Sequence, residues 1–190
     1  MKLEKARLRE VYKSKRAQLT SAEKLRYSFE ILNQFKVWLS AKEDFTHFHL
    51  FFPIEKQHEI NTYIIKEYLE ANQRKVYTSI LKSKSLEMDT FLLNSKTVFE
   101  EGKMGIPIPV NAEKVETDEL QVILVPLLVF DKSGSRIGFG KGYYDFFLKG
   151  LRPEVVKVGL SYFLPEEKIP SEEHDMPLDY CITPGKIFTF

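Results

Sequence analysis

A single cysteine, Cys181, stands in 190 residues, which excludes an internal disulfide and suits a reducing compartment. Its Asp-Tyr-Cys-Ile-Thr setting reads as strand packing rather than as a nucleophile. Excess charge is lacking too. The 28 Lys and Arg against 27 Asp and Glu leave a net charge of +1, which argues against a nucleic-acid backbone as the main partner but allows local basic sites for a small polyanion. No apolar run reaches membrane-spanning length, and the N-terminus is a charged helical pattern without a hydrophobic signal region. The expected location is therefore the cytoplasm, with no membrane and no nucleic-acid partner. Internal repeats, low-complexity tracts and interdomain linkers are missing as well. With 43% hydrophobic residues, the chain suffices for one well-buried core and is short for two, so residues 1–190 are expected to form one domain.

Residues 2–17, rich in Lys, Arg, Glu, Leu and Ala, predict a helix. Thr20-Ser-Ala-Glu23 has the spacing of a capping box that opens a second, in which Leu25, Leu32, Phe35 and Leu39 recur near helical spacing. Residues 45–52 alternate as a strand that stops at Pro53. Asn61 or Thr62 caps a helix through Ala71, residues 76–80 form the next strand, and residues 86–92 alternate like a half-exposed one. Residues 122–130 are a continuous apolar run, as in a strand buried on both faces. Residues 155–161 and 180–183 are further strands. Residues 111–119 read as a polar surface excursion, and residues 165–177 as a long irregular loop able to close over a site. Strands alternating with helices imply an α/β protein, a three-layer α/β/α domain with a largely parallel sheet. Ligands in such folds bind beyond the carboxyl ends of the strands.

What the chain does concentrate is glycine, in Arg136-Ile-Gly-Phe-Gly-Lys-Gly-Tyr-Tyr-Asp145. This run follows the apolar strand and precedes helically spaced residues from Tyr144 to Leu148. Alternating glycines allow positive φ and let backbone N–H groups approach an anion without Cβ interference. Arg136 and Lys141 add charge, and the helix N-terminus adds a partial positive charge. Neither standard label fits: a dinucleotide fingerprint needs glycine where Tyr143 stands, and a Walker A loop needs Ser or Thr where Gly142 stands. A plain glycine turn is the alternative; the embedded cations, aromatics and carboxylate favour a phosphate cradle.

Other residues are ambiguous on spacing alone. Lys5 and Arg9 share one side of a helix and suit either a phosphate contact or a solvated basic face. Glu59 suits either a helix N-terminus or a binding loop. Asp145 and Asp175 are hard oxygen ligands fit for Mg²⁺, although isolated aspartates also serve as caps.

The run Val125-Pro126, Phe130-Asp131-Lys132, Gly134 and Arg136 to Asp145 resembles the signature of 5-formyltetrahydrofolate cyclo-ligases, also called 5,10-methenyltetrahydrofolate synthetases. Lys5 with Arg9, Glu59-Ile-Asn-Thr62, Gly105-Ile-Pro-Ile-Pro109 and His174-Asp175 with Asp179 agree with it in order along nearly the whole chain. The resemblance implies an enzyme that takes 5-formyltetrahydrofolate and ATP and uses Mg²⁺; the chain is expected to act as a monomer. It places Lys5, Arg9, Arg136, Gly138, Gly140, Lys141, Gly142, Tyr143 and Tyr144 at ATP. Ile54, Glu59, Met104, Phe139 and Tyr143 fall at the folate, and Asp145 and Asp175 at the metal. Arg136, Lys141 and Tyr143 are the expected catalytic residues. Met104 stands where many relatives carry an aromatic, and Ile108 where many carry Glu or Gln. His174 is given no role.

Two other functions share the same sequence features. A sugar-phosphate isomerase or acyl-CoA-handling enzyme can occupy a similar scaffold. A non-catalytic nucleotide- or folate-binding regulator would retain the loop and bind without turnover.

Overall fold

The computed structural model describes residues 1–102 and 105–190. In chain order the elements are α1 (Lys2–Gln18), α2 (Ser21–Ser40), β1 (His47–His49), α3 (Tyr63–Ala71), β2 (Lys75–Leu81), β3 (Met88–Leu92), β4 (Val98–Glu101) and β5 (Pro107–Val110). There follow β6 (Glu113–Val115), β7 (Val122–Pro126), β8 (Val129–Phe130), β9 (Arg136–Ile137), α4 (Tyr143–Lys149), β10 (Val156–Leu160), β11 (Tyr180–Ile182) and β12 (Ile187–Thr189). Eight strands form one sheet in the order β12-β11-β10-β7-β1-β2-β3-β6. The five central strands, β11 to β2, pair in parallel. Strands β12, β3 and β6 add on antiparallel at the two ends. The expected α/β fold with a largely parallel sheet is therefore present.

Side-chain alternation along β7 shows why its sequence is apolar throughout. Val122 and Leu124 enter the cluster that packs under α2 and α3 with Ile31, Phe35, Ile65 and Leu69. Ile123 and Val125 enter the opposite cluster with Phe147 and Leu148 of α4. Helices thus cover both faces, and a strand buried on both sides has no polar face to show. A third, smaller cluster seats α1 through Tyr12 on Leu128, Val129 and Ile137. Among the described residues no helix is long and apolar enough to cross a membrane.

Local chemistry explains several boundaries. Thr20 and Glu23 form the full capping box at the start of α2. The expected cap of α3 divides between two residues: Asn61 Oδ1 accepts from the Tyr63 N–H, while the Thr62 hydroxyl donates to the Phe51 carbonyl. The apolar run of residues 122–130 is two strands rather than one. Proline at 126 has no N–H for the ladder, and the chain leaves the sheet there to form the separate β8–β9 hairpin. Residues 111–119 also differ from expectation, because Glu113–Val115 pairs with β3. Cys181 is buried in β11, as strand packing requires.

Buried Asp131 holds the β8–β9 hairpin against the later loop. Its Oδ1 accepts from Ser133 and Ser135 N–H, and its Oδ2 from Ile169 N–H at 3.0 Å. Asp131→Ala leaves those donors without an acceptor, at a cost of ~3 kcal/mol. A calorimetric melt should fall by roughly 6–12 °C; a fall within the noise would show that water replaces the carboxylate without loss.

Candidate functional site

The chain runs from β1 through α3 to β2 on one side, then returns to place β7 on the other side of β1. This reversal between β1 and β7 opens a crevice at their carboxyl ends, where open α/β sheets bind ligands. A cavity of about 650 Å³ lies there, lined by the segment after β1, the loop after β9 and Lys5, Arg9, Lys13 and Ala17 along one side of α1.

One part of the cavity is basic. Lys5, Arg9, Arg136 and Lys141 all line it. Lys5 is not a solvated basic residue, being 5% exposed, and its Nζ pairs with Glu172 at 2.8 Å and Asp175 at 2.6 Å. Burial alone would lower the Lys5 ammonium, but its bonds to the two carboxylates outweigh that and hold it above its ordinary value. Asp175 shows the counterpart: burial opposes its charge, and Lys5 with the Glu172 N–H keeps it below the usual range. Arg9 Nε donates to the Gly138 carbonyl at 3.0 Å. Arg136 is buried in β9, donating to the Met176 carbonyl and, at 2.8 Å, to Asp145 Oδ1. Met176 N–H donates to the same oxygen. Lys141 is exposed. The loop of residues 165–177 therefore closes against α1 and the glycine loop through charge.

The three loop glycines are not equivalent. Gly140 and Gly142 have φ of +89° and +76°, whereas Gly138 lacks a positive φ. The positive φ at Gly140 favours glycine, and a Cβ there would stand 2.8 Å from Arg9 Cζ, so a side chain would also push the guanidinium lying over it aside. Gly138 does not use the positive φ that glycine allows, and the nearest atom to a Cβ there is the Pro126 carbonyl at 3.8 Å.

The other part is apolar with one acid. Phe51, Phe52, Ile54, Phe139, Tyr143 and Tyr144 line it, and Phe51 and Phe52 also belong to the core. Tyr143 and Tyr144 open α4, and burial raises the Tyr144 phenol. Glu59 accepts from the Ile54 N–H through Oε2 at 2.8 Å, and its carbonyl accepts from the Tyr162 hydroxyl at 3.0 Å. Burial pushes the Glu59 carboxyl up to about 7, with the Ile54 bond and the Arg16 charge pulling the other way. An unfolded chain releases this proton near 4.5, so between the two values the folded state binds more protons and stability falls as pH rises. Glu59→Gln removes that loss. Its melting temperature should exceed that of the wild type at about pH 8, by a stability on the order of 3 kcal/mol, with the gap closing towards about pH 5. A gap independent of pH would mean that Glu59 is ionised throughout.

Each metal-site candidate keeps an oxygen in reserve. Asp145 uses Oδ1 for its bonds and Asp175 uses Oδ2, so among the described residues the second oxygen of each carries no bond. Both line the cavity, and oxygen donors of this kind fit Mg²⁺. Glu172, which the sequence did not single out, groups with His174 and Asp175 within 4.8 Å. Met104 lies outside the described residues. Ile108 packs on Gly102 instead of lining the cavity.

The family model for 5-formyltetrahydrofolate cyclo-ligases matches residues 1–184. A 5-formyltetrahydrofolate cyclo-ligase of Mycoplasma genitalium is 26% identical over 96% of this chain and 99% of its own length. The corresponding protein of Escherichia coli is 30% identical over 68% of this chain and 74% of its own length. In three dimensions the chain is similar to the 5,10-methenyltetrahydrofolate synthetase of Aquifex aeolicus, with a TM-score of 0.82, 28% identity, and coverage of 97% of this chain and 92% of that one. The synthetase from Mycoplasma pneumoniae gives a TM-score of 0.76 at 25% identity, covering 95% and 98%. The switch-point crevice, the glycine loop and the match along almost the entire chain agree, and the chain belongs to the 5-formyltetrahydrofolate cyclo-ligase family of ligases.

Proposed function

We propose that the protein converts 5-formyltetrahydrofolate and ATP to 5,10-methenyltetrahydrofolate, ADP and phosphate, acting as a cytoplasmic monomer. One observation carries this reading: a basic compartment around the glycine loop and an apolar compartment containing Glu59 are parts of one cavity. A triphosphate and a flat, hydrogen-bonding ring system can therefore lie side by side.

The N5-formyl oxygen is a poor leaving group. In the proposed reaction it attacks the γ-phosphorus, the bond to the ADP oxygen breaks, and an imidate-type phosphate ester forms. N10 then adds to the formyl carbon and loses its proton, and the carbon–oxygen bond breaks with its electron pair leaving on phosphate. Such phosphoryl transfer asks the protein for alignment and charge stabilisation. Lys5, Arg9 and Lys141 would hold the phosphates, and the backbone at Gly140 would admit them. Tyr143 and Phe139 would orient the folate ring system, and Glu59 would accept its N–H groups. Arg136 would act from its buried position, fixing Asp145 and Met176. Asp145 and Asp175 would hold Mg²⁺, which when bound neutralises phosphate charge.

The deciding assay mixes purified protein with ATP, Mg²⁺ and 5-formyltetrahydrofolate and follows the near-ultraviolet absorption of the methenyl product. One ADP should appear for each product formed. Binding of both ligands without product would make the protein a non-catalytic binder, and ATP loss without methenyl product would assign it another acceptor.

A further inference from the structure

Arg16 lies near the C-terminal end of α1 with 3% of its surface exposed. Its guanidinium donates to the Leu127 carbonyl, just past β7. It also lies 5.9 Å from the Phe139 ring of the glycine loop and 5.8 Å from the Tyr162 ring. Its Nε has no partner among the described residues. Buried guanidinium groups are ordinarily matched by a carboxylate; burial lowers this one, the Glu59 charge pulls the other way, and no ion pair to it forms among the described residues. Tyr162 completes the connection by donating to the Glu59 carbonyl.

We propose that Arg16, which does not line the cavity, is a positioning residue that joins the glycine loop, the end of β7 and Tyr162 into one block and sets a fixed positive charge against Glu59. The inference rests on the reading of Glu59 as the acceptor on the folate side. Only an ionised carboxylate offers both oxygens as acceptors, and Glu59 already commits one to Ile54. The groups coupled to it from other elements are Arg16 of α1, Tyr144 of α4 and Tyr162 after β10, and Lys24 of α2 with Glu100 and Glu101 of β4 line the outer pocket it shares. Burial raises both phenols, so they stay neutral near pH 7 and Arg16 supplies the charge. On its own segment, Glu55, Lys56 and His58 lie nearby, with the His58 ring bonded to Lys24. Without Arg16, burial of Glu59 is opposed by the Ile54 bond alone. The proton that Glu59 holds up to about pH 7 with Arg16 present is then retained to higher pH, and it turns one acceptor into a donor.

The test is calorimetric binding of 5-formyltetrahydrofolate, and separately of ATP, from about pH 6 to about pH 9. Arg16→Met should weaken folate binding about tenfold near neutrality, with recovery towards the wild type as pH rises. ATP affinity should change by less than about twofold. Arg16→Lys, which retains the charge, should keep the wild-type pH profile. If Arg16→Met does not fold, Arg16→Gln, which keeps a donor for Leu127, is read in the same way. Equal weakening of both ligands, or a folate defect that ignores pH, would make Arg16 a packing residue and overturn the proposal. Glu59→Gln separates the two levels: unchanged folate affinity there removes the folate-side reading of Glu59. A folate defect in Glu59→Gln beside a wild-type profile in Arg16→Met and Arg16→Gln removes the role of Arg16 alone.

Discussion

Gly140→Val should lower ATP affinity by about 100-fold or more while the domain stays folded. The φ of +89° at this position is one that a β-branched residue rarely adopts, and the new Cβ would stand 2.8 Å from Arg9 Cζ. The substitution therefore distorts the loop and displaces a cation in one step. Gly138→Ala is the matched control. Its Cβ meets the Pro126 carbonyl at 3.8 Å and no positive φ is involved, so affinity should hold within about threefold. Titration calorimetry with ATP measures both. Wild-type affinity in Gly140→Val would remove the phosphate-cradle assignment, and equal losses in the two variants would show a loop sensitive to any side chain.

Asp145→Asn and Asp175→Asn should each raise the Mg²⁺ concentration for half-maximal turnover by roughly 10-fold or more, measured with ATP saturating. Asparagine at 145 keeps an oxygen for Arg136 and the Met176 N–H, so the loop contact survives while the carboxylate charge is lost. At 175 the change also leaves Lys5 with Glu172 as its remaining carboxylate partner. The effect there should include a weaker link between α1 and the late loop. A wild-type Mg²⁺ dependence in both variants, with any loss confined to stability, would make the two carboxylates structural.

Where one local rule decides, the sequence was readable. Spacing placed the capping box of Thr20 and Glu23, and composition placed β7 between two apolar layers. The glycine loop announced itself because positive φ and unhindered backbone approach both demand glycine. What stayed hidden depends on partners distant in the chain. Pro126 marks the break after β7, but only the separate β8–β9 pairing shows where the chain goes next. Strand β6 is polar and looks like a loop until β3 offers it hydrogen bonds. Arg16 sits among Lys13, Lys15 and other cations, and nothing in that pattern says that it is the buried one. Lys5 is similar, since its burial comes from Glu172 and Asp175, which α1 cannot foretell.

The union of α1 with the late loop also fixes when the site can exist during synthesis. Lys5 and its partner Asp175 are separated by 170 positions, and Tyr12 and its partner Glu166 by 154. At ribosomal elongation rates the first helix waits about ten to thirty seconds for those partners to be made. Through that interval its lysine has no carboxylate to bury against and its tyrosine no acceptor. The glycine loop, translated earlier than the late loop, has meanwhile no closed cavity to serve. Competence to bind therefore waits until a segment translated more than 150 residues later meets α1.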